Sequence, residues 1–410
     1  MLKTPLARRL PVWIEELGQI GRTEADGLWR TPYTPADTQA QDAVAGWMQQ
    51  AGLEVRRDAV GNLFGRLPGT TRPDEVILTG SHLDTVRNGG KYDGGLGILA
   101  GIVMLAEVLE TSGRPARSLE VVALVGEEGS RFPLAFIGSK AITGELSPEE
   151  LEIRDAEGIS IAGAMRGVGL DPSRIQEARR SDLRGFLEFH IEQGRILQDQ
   201  GYPLGIVHTI TGIRQACVLV DGRPDHAGTT PMTSRRDAML GAAEMVLRIA
   251  EQITALGHPA VATTGRLQAR PGGVNVVAEQ VEFTVDFRHP DPAVLERMAA
   301  MIRGTCEEVA QRRRLASTLH VFLEHPPVPM SPEVQAALQA SAEELGLKAL
   351  SMASGAGHDA MVLAGRIPVG MLFVPSREGR SHCPDEFTPE GEIVPGLAVL
   401  ARTLHRLATV

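Results

Sequence analysis

The feature that most constrains the fold is a series of short apolar segments in the first half of the chain that end at polar residues. Residues 75–80, 119–125 and 186–189 are predicted as strands, and residues 96–109 as a buried helix between the first two. Strands that are apolar almost throughout and alternate with helices are typical of a parallel sheet covered on both faces. The sequence therefore predicts an α/β fold, with a mostly parallel sheet covered by helices.

The middle of the chain has a different pattern. It predicts a strand at 212–220, a helix at 234–256, strands at 262–267 and 281–287, a helix at 292–314 and a strand at 319–323. This order, β-α-β-β-α-β, is that of a small ferredoxin-like domain. The α/β features resume with a helix after Ser331-Pro332, a strand at 368–374 and a helix at 394–407. We therefore predict an α+β domain at 214–327, inserted into a larger domain formed by 1–213 and 328–410.

Polar residues able to bind a metal ion stand where the predicted strands end. They are His82, Asp84, Asp93, Glu127, Glu128, His190 and His382. In open α/β sheets, ligands bind beyond the carboxyl ends of the strands, so we expect these side chains to meet. Histidine and carboxylate ligands without thiolates suit Zn²⁺, Mn²⁺ or a similar divalent ion.

A pair of metal ions would require a distinct role for each of these groups. One carboxylate must bridge the two ions, and another must stay free to accept a proton from the attacking water. The adjacent Glu127 and Glu128 can provide one ligand and one base, because neighbouring residues at a strand end point in different directions. Asp84 lies two residues beyond His82, so we expect its carboxylate to accept the second imidazole N–H of that ligand.

Charge and cysteine content argue against several classes of protein. The chain has 51 acidic and 41 basic residues, and its formal net charge of −10 would repel a phosphate backbone, so nucleic acid is not an expected partner. We expect no membrane partner, because no apolar run is seen to reach the roughly 18 residues that a membrane span needs. Cys217, Cys306 and Cys383 are far apart and odd in number, which fits a reducing compartment. We therefore expect a cytoplasmic protein.

Eight segments of the chain together resemble the hydantoinase/carbamoylase family of amidohydrolases, within the superfamily of dinuclear-zinc aminoacylases and carboxypeptidases. They are Gly80-Ser81-His82-Leu83-Asp84-Thr85, Tyr92-Asp93-Gly94-Gly95, Glu127-Glu128-Gly129-Ser130-Arg131-Phe132, His190-Ile191-Glu192-Gln193-Gly194, His226-Ala227-Gly228-Thr229-Thr230-Pro231-Met232, Gly273-Val274-Asn275, Asp286-Phe287-Arg288 and Ser354-Gly355-Ala356-Gly357-His358-Asp359. The resemblance implies a metallopeptidase-like sheet domain and an inserted domain that serves as a lid and dimerisation domain. It also implies a homodimer with two divalent ions per subunit, with Zn²⁺ as the expected ion and Mn²⁺, Co²⁺ or Ni²⁺ as the alternatives.

The resemblance also implies a role for each site residue. His82, Asp93 and His190 would bind one ion, and Asp93 would bridge to a second ion bound by Glu128 and His382. Glu127 would be the general base, and Asp84 would orient His82. The residues implied for substrate binding are Gln193, His226, Asn275, Arg288, Gly357 and His358. Of these, His226 or His358 would stabilise the tetrahedral oxyanion.

The substrate is expected to be a small anionic ureido acid. His190 stands where related peptidases generally have a carboxylate, which leaves the metal pair with a net positive charge of about +1 and favours an anion. Arg288 can clamp a carboxylate, and Asn275 can orient it or a ureido group. Arg214 would add a second guanidinium for a more polar substrate such as allantoate.

The expected activity is hydrolysis of an N-carbamoyl-L-amino acid, with allantoate as the alternative substrate. The nearest rival to this activity is that of a dipeptidase or N-acylaminoacylase. The second rival, from a different functional class, is a non-catalytic metal-binding protein. A storage or scaffold site gains nothing from a spare Glu127 beside a ligand, which argues against the second rival.

Overall fold

The computed structural model describes residues 2–409, and the chain divides into two compact units. The larger unit contains the residues up to His208 and those from Pro329 onward. The smaller unit is Thr209–Val328, where the sequence predicted an insertion at 214–327. Each unit has its own hydrophobic core.

The strands include every one predicted from the sequence, each with somewhat different bounds. In chain order they are β1 (Glu54–Arg57), β2 (Leu63–Leu67), β3 (Arg72–His82), β4 (Arg117–Leu124), β5 (Leu183–Ile191), β6 (Leu204–Ile210), β7 (Gly212–Asp221), β8 (Val261–Thr263), β9 (Leu267–Arg270), β10 (Gln280–His289), β11 (Ala316–His325), β12 (Val328–Pro329), β13 (Ala349–Ser354) and β14 (Val369–Val374). The single strand predicted at 262–267 is two short strands, β8 and β9, because the chain leaves the ladder around Gly265.

The α-helices cover the predicted helical segments and several shorter ones. In chain order they are α1 (Leu10–Leu17), α2 (Pro35–Gln50), α3 (Gly95–Ser112), α4 (Ile137–Thr143), α5 (Ile161–Gly167), α6 (Ile196–Gln200), α7 (Ala238–Leu256), α8 (Pro292–Arg313), α9 (Pro332–Glu344), α10 (Asp359–Leu363) and α11 (Glu390–Thr409). Ser331 is the N-cap of α9 as predicted, but its side chain makes no capping hydrogen bond.

The large sheet is parallel in its centre and antiparallel towards its edges. Its order is β1-β2-β4-β3-β5-β14-β6-β12, with β13 paired to β6. The pairs β4/β3, β3/β5 and β5/β14 are parallel, whereas β1/β2, β2/β4 and β14/β6 are antiparallel. The carboxyl ends of β3, β4, β5 and β14 therefore lie along one edge, which is where ligands bind in open α/β sheets.

Helix α3 packs directly on this sheet. A side-chain carbon on Gly97 would lie 2.4 Å from the Phe189 carbonyl oxygen, and one on Gly101 would lie 2.6 Å from the Val121 side chain, so both glycines permit the close approach. By length and composition alone α3 could cross a membrane, contrary to our expectation that no apolar run is long enough. Its residues 95–108 are buried inside the larger unit, as in a core helix of a soluble domain.

The smaller unit is a five-stranded antiparallel sheet of order β11-β7-β10-β8, with β9 also paired to β10. Buried and partly exposed side chains alternate strictly along β10, because successive side chains of a strand point to opposite faces. Val281, Phe283, Val285 and Phe287 share one core with buried residues of α7 and α8. The helices therefore cover one face of this sheet, as in the predicted ferredoxin-like domain.

Candidate metal centre and catalytic residues

Asp93 brings three histidines together around one carboxylate. Its Oδ1 lies 3.3 Å from His82 Nε2 and 3.2 Å from His190 Nε2. Its Oδ2 lies 3.3 Å from His382 Nε2. Because the two oxygens of one carboxylate face two separate groups, Asp93 has the arrangement of a bridging ligand.

The second group is completed by Glu128. Its Oε1 lies 3.6 Å from His382 Nε2. The ligand atoms of Asp93, Glu128 and His382 lie within 4.8 Å of one another, and so do those of His82, Asp93 and His190. All five metal ligands expected from the sequence are thus close together in the larger unit.

The backbone conformation of the site is as specific as its side chains. Gly94 precedes α3 with φ +65°, and a side-chain carbon there would lie 2.5 Å from His82 Cε1. His382 and Gln193 also have positive φ, of 56° and 59°. Non-glycine residues rarely adopt this conformation, which is enriched at functional sites.

The ring orientations of His82 and His190 leave the right nitrogens for a metal ion. Nδ1 of His82 lies 2.9 Å from the Asp84 carbonyl oxygen, and Nδ1 of His190 lies 2.9 Å from the Ile191 carbonyl oxygen. A carbonyl oxygen only accepts hydrogen bonds, so each Nδ1 carries a proton, and Nε2, the nitrogen that faces Asp93, is the atom able to bind a metal ion. The donor set therefore fits a divalent ion.

The carboxylate of Asp84 has a different role from the one predicted. Its Oδ1 is 3.9 Å from His82 Nδ1, too far for a hydrogen bond, because the backbone carbonyl of Asp84 takes that place. The carboxylate instead accepts the backbone N–H groups of Gly126, Glu127 and Glu128, at 3.0, 3.1 and 3.2 Å. Asp84 thus positions both glutamates and contacts His82 only through its main chain.

Glu127 and Glu128 follow β4 but differ in their surroundings. His382 pairs with Glu128, whereas Glu127 lies in a group with His82 and Glu128. Burial raises the pKa of Glu127 well above its usual value, and the charges of Glu128 and nearby aspartates add to this although His82 opposes it. A general base must be ionised before it accepts a proton, so cations close to Glu127 would have to oppose this shift.

The acidic groups of this cluster raise the pKa of its histidines, which therefore bind protons readily when no metal ion is bound. The hydrogen bond to Asp93 raises the pKa of His382 to about 9, although burial opposes the shift. Burial disfavours protonation of His82, but the charges of Glu127 and neighbouring acids outweigh it and raise its pKa well above the usual value. Burial also opposes ionisation of Asp93, yet hydrogen bonds from the three histidines hold its pKa well below the usual range. The cluster therefore attracts positive charge.

Three residues around Asp93 lie in positions that sequence reasoning did not predict. Gln193, expected to contact substrate, donates from Nε2 to Asp93 Oδ2 at 2.7 Å. The Ser381 hydroxyl lies 2.8 Å from the same oxygen. Glu386 accepts the backbone N–H groups of Tyr92 and Asp93 at 2.8 and 2.9 Å. The one feature of the sequence that points to Ser381 and Glu386 is that both lie close to His382 in the chain.

His358 packs against His190, one of the predicted metal ligands. Its ring centroid is 4.7 Å from that of His190, and its Nε2 is 3.0 Å from the Ser354 hydroxyl. Burial lowers the pKa of His358 well below its usual value, so the imidazole is neutral. A side-chain carbon on the adjacent Gly357 would lie 3.4 Å from the Phe136 ring. Gly357 and His358 are thus close to the predicted ligands.

The smaller unit carries the other predicted substrate residues. A β-bridge joins His226 to Val276, and the Asn275 carbonyl oxygen accepts the Ala227 N–H at 3.0 Å, so His226 and Asn275 lie on adjoining segments. Both residues are exposed. Arg288 Nε donates to Asp286 Oδ1 at 2.8 Å, which holds the guanidinium on the face of the sheet opposite the helices.

Arg214 lies on the other face of the sheet from Arg288, which does not fit the expectation that it adds a second guanidinium for the substrate. It pairs with Phe287 across β7 and β10, whereas Arg288 pairs with Ile213, so the two arginines project from opposite faces of the sheet. Arg214 instead pairs with Glu296 at 2.7 Å and with Glu324 at 2.5 Å. Within one chain the two guanidinium groups cannot bind the same small substrate.

The fold and the larger unit's site together define a metal-dependent hydrolase. Its potential ligands lie at the carboxyl edge of a parallel sheet, and the buried carboxyl of Glu127 lies beside them. The profile of peptidase family M20/M25/M40 matches residues 78–406.

Close relatives cover nearly the whole chain. An N-carbamoyl-L-amino acid amidohydrolase of Geobacillus stearothermophilus is 42% identical over 395 residues, which are 96% of each chain. An allantoate amidohydrolase of Bacillus subtilis is 41% identical over 401 residues, covering 97% of this chain and 96% of that protein. The crystal structure of a hydantoinase/carbamoylase family amidase from Burkholderia ambifaria has a TM-score of 0.91 at 34% identity, covering 98% and 97% of the two chains.

The chain therefore belongs to the M20/M25/M40 family, and within it to the hydantoinase/carbamoylase amidohydrolases. This confirms the resemblance inferred from the sequence motifs. Metal dependence is a property of the M20 family, in agreement with the ligand groups around Asp93.

Proposed function

We propose that this protein is a dinuclear metal amidohydrolase that cleaves an N-carbamoyl-L-amino acid. The reaction is R–NH–CO–NH₂ + H₂O → R–NH₂ + NH₃ + CO₂. The proposal rests chiefly on the geometry of the Asp93 carboxylate. Its Oδ1 faces two histidines, and its Oδ2 faces a third. The names of the relatives supply the substrate class.

Two divalent ions would be held by the five ligands around Asp93. His82, His190 and Asp93 Oδ1 would hold the first, and Asp93 Oδ2, Glu128 and His382 the second. Such ions polarise the substrate carbonyl and lower the pKa of water. Zn²⁺ is the ion we propose, with Mn²⁺, Co²⁺ or Ni²⁺ as the alternatives, because imidazole and carboxylate ligands suit all of them.

Glu127 would carry the proton between water and the leaving nitrogen. Its carboxyl lies beside His82 and Glu128, within reach of a water held between the proposed ligand groups. His358 is neutral and could donate one N–H to the developing oxyanion, and His226 is the other candidate for that role.

An acidic substrate fits the charge of the site. Three neutral imidazoles and two carboxylates would leave a net positive charge on two divalent ions. Arg288 can bind the substrate carboxylate with a charge-assisted pair, and Asn275 can orient the ureido group. Gln193 and Gly357 remain proposed contacts of the substrate, although the amide of Gln193 is engaged with Asp93 when no substrate is bound.

Allantoate is the alternative substrate, favoured by the 41% identity to the allantoate amidohydrolase of Bacillus subtilis. The pairing of Arg214 with two glutamates removes the sequence argument that a second guanidinium selects this substrate. A screen of N-carbamoyl-L-amino acids, allantoate, dipeptides and N-acetyl amino acids, with Zn²⁺ or Mn²⁺ added to chelator-treated protein, tests the proposal. Turnover of dipeptides or N-acetyl amino acids alone would refute it.

The family resemblance further suggests a homodimer formed through the smaller unit, which would also serve as a lid over the substrate. Light scattering of the purified protein tests the dimer. Cys217, Cys306 and Cys383 are free thiols, which fits the proposed location in the cytoplasm.

A further inference from the structure

Glu386 is a buried carboxylate that no step of the proposed reaction uses. It is 2% exposed and lies in the loop that follows His382. Its Oε1 accepts the backbone N–H groups of Tyr92 and Asp93, which lie 294 and 293 residues away in the chain. Burying a carboxylate is unfavourable unless hydrogen bonds compensate, so its presence calls for a specific role.

The other oxygen of Glu386 reaches the segment that carries His382. Oε2 lies 2.7 Å from the Ser381 hydroxyl, which is itself 2.8 Å from Asp93 Oδ2. A hydroxyl group has one hydrogen, so Ser381 lies between the two carboxylates and donates to one of them at a time. Glu386 therefore contacts the Asp93 backbone on one side and the neighbour of His382 on the other.

The residues around Glu386 leave room for this contact and support it by packing. A side-chain carbon on Gly90 would lie 2.1 Å from Glu386 Oε1, so only glycine lets the carboxylate reach the loop before Asp93. Tyr92 and Phe387, the neighbours of Asp93 and Glu386, pack edge to face with ring centroids 5.7 Å apart. The two loops are thus joined by hydrogen bonds and by apolar packing.

We propose that Glu386 is a positioning residue that fixes Asp93 Oδ2 opposite His382 Nε2 and so creates the second metal position. The first position depends less on it, because carbonyl hydrogen bonds within or next to their own strands orient His82 and His190. His382 lies in a loop, with positive φ, and not in a strand. Its ring is therefore not oriented by a strand carbonyl in the way that the rings of His82 and His190 are. This inference rests on the proposed dinuclear centre and adds the residue that assembles its second half.

Metal binding without substrate tests the inference. We expect Glu386→Ala to weaken the second of two Zn²⁺ equivalents by about 10–100-fold, the usual effect of losing a partner that orients metal ligands, and to change the first equivalent much less. Glu386→Gln should bind both ions nearly as the unaltered protein does, because its amide oxygen can still accept the two backbone N–H groups. Calorimetric titration of chelator-treated protein measures both affinities.

Two further variants separate positioning from damage to the fold. Glu107 is a matched control, because its carboxylate is also buried and accepts the backbone N–H groups of Lys3 and Thr4, far along α3 from the site. Glu107→Ala should lower thermal stability without changing either metal affinity. Ser381→Ala removes only the hydroxyl link and should weaken the second ion alone, which keeps the test open if Glu386→Ala does not fold.

The inference is overturned if Glu386→Ala binds both ions as tightly as the unaltered protein, or if it weakens both equally. It is also overturned if Glu386→Gln binds as poorly as the alanine variant, because charge and not position would then be the cause. A protein that binds two ions but hydrolyses no ureido acid would refute the proposed substrate and leave this inference standing.

Discussion

Glu127 and Glu128 are neighbours in the chain, yet they contact different partners. Glu128 pairs with His382 beside Asp93, whereas Glu127 lies in the group formed with His82 and Glu128. Adjacent residues at the end of a strand point in different directions, so one can serve as a ligand while the other stays free. This distinction leads to opposite expectations for the same substitution.

Glu127→Gln should keep both metal ions and lose turnover, because an amide cannot accept the proton of the attacking water. General-base catalysis contributes roughly 10²–10⁴-fold, and the fall in kcat should be at least that large. Glu128→Gln should instead lower metal content. Metal analysis of both variants beside their kcat values checks the assignment, which is wrong if the two patterns are exchanged.

Arg288→Ala should raise KM for an N-carbamoyl amino acid by an amount that corresponds to about 1.5–3 kcal/mol, the range for a hydrogen bond to a charged group. An ester or amide of the same substrate should respond much less. Arg214→Ala is the matched control, because Arg214 pairs with Glu296 and Glu324 on the other face of the sheet. Equal losses for charged and neutral substrates would indicate a structural role for Arg288.

At the scale of elements, the site depends on loops that join strand ends across the sheet. The carboxylate of Asp84, just beyond β3, accepts three consecutive N–H groups of the turn after β4. Because β3 and β4 are neighbouring parallel strands, these ends are adjacent in space although 42 residues separate Asp84 from Gly126. One short side chain therefore fixes the turn that carries both glutamates.

Asp84→Ala should destabilise the metal-free protein by about 1–3 kcal/mol or more, because buried N–H groups lose their acceptor. Asp84→Asn should cost less, since one oxygen remains to accept hydrogen bonds. Urea unfolding of the metal-free variants measures the difference. If alanine and asparagine leave the free energy of unfolding unchanged, the carboxylate does not hold the turn.

At the scale of the whole molecule, the proposed metal ions would complete a centre that otherwise binds protons. Asp93 raises the pKa of His382 to about 9, and neighbouring acids raise the pKa of His82. Below a pH of about 9, a metal ion must displace a proton from His382 before it can bind there. The charge balance of the larger unit is therefore coupled to the presence of the metal.

Metal affinity should rise with pH between about 6.5 and 9, by about tenfold per pH unit for each proton released. Above the raised pKa the dependence should level off, because the imidazole is then already neutral. Calorimetric titration with Zn²⁺ in buffers of different ionisation enthalpy measures both the affinity and the protons released. An affinity that stays flat over this range would contradict the link.

The amino-acid sequence by itself determined the class of fold, the ligand types and their order along the chain. Apolar periodicity is local, so the strands ending near His82, Glu127 and His190 could be located without tertiary information, and parallel strands bring their ends to one edge. The five metal ligands followed from residue type together with the family motifs.

Only the tertiary structure decided which atom of each residue is used. The backbone carbonyl of Asp84 takes the contact predicted for its carboxylate, and Arg214 faces away from Arg288 because of the register between β7 and β10. Glu386 reaches Asp93 across 293 residues, past a glycine that leaves room for it. Such contacts depend on strand register and on loop approach, which arise from the packing of distant segments and leave no periodic signal in the chain.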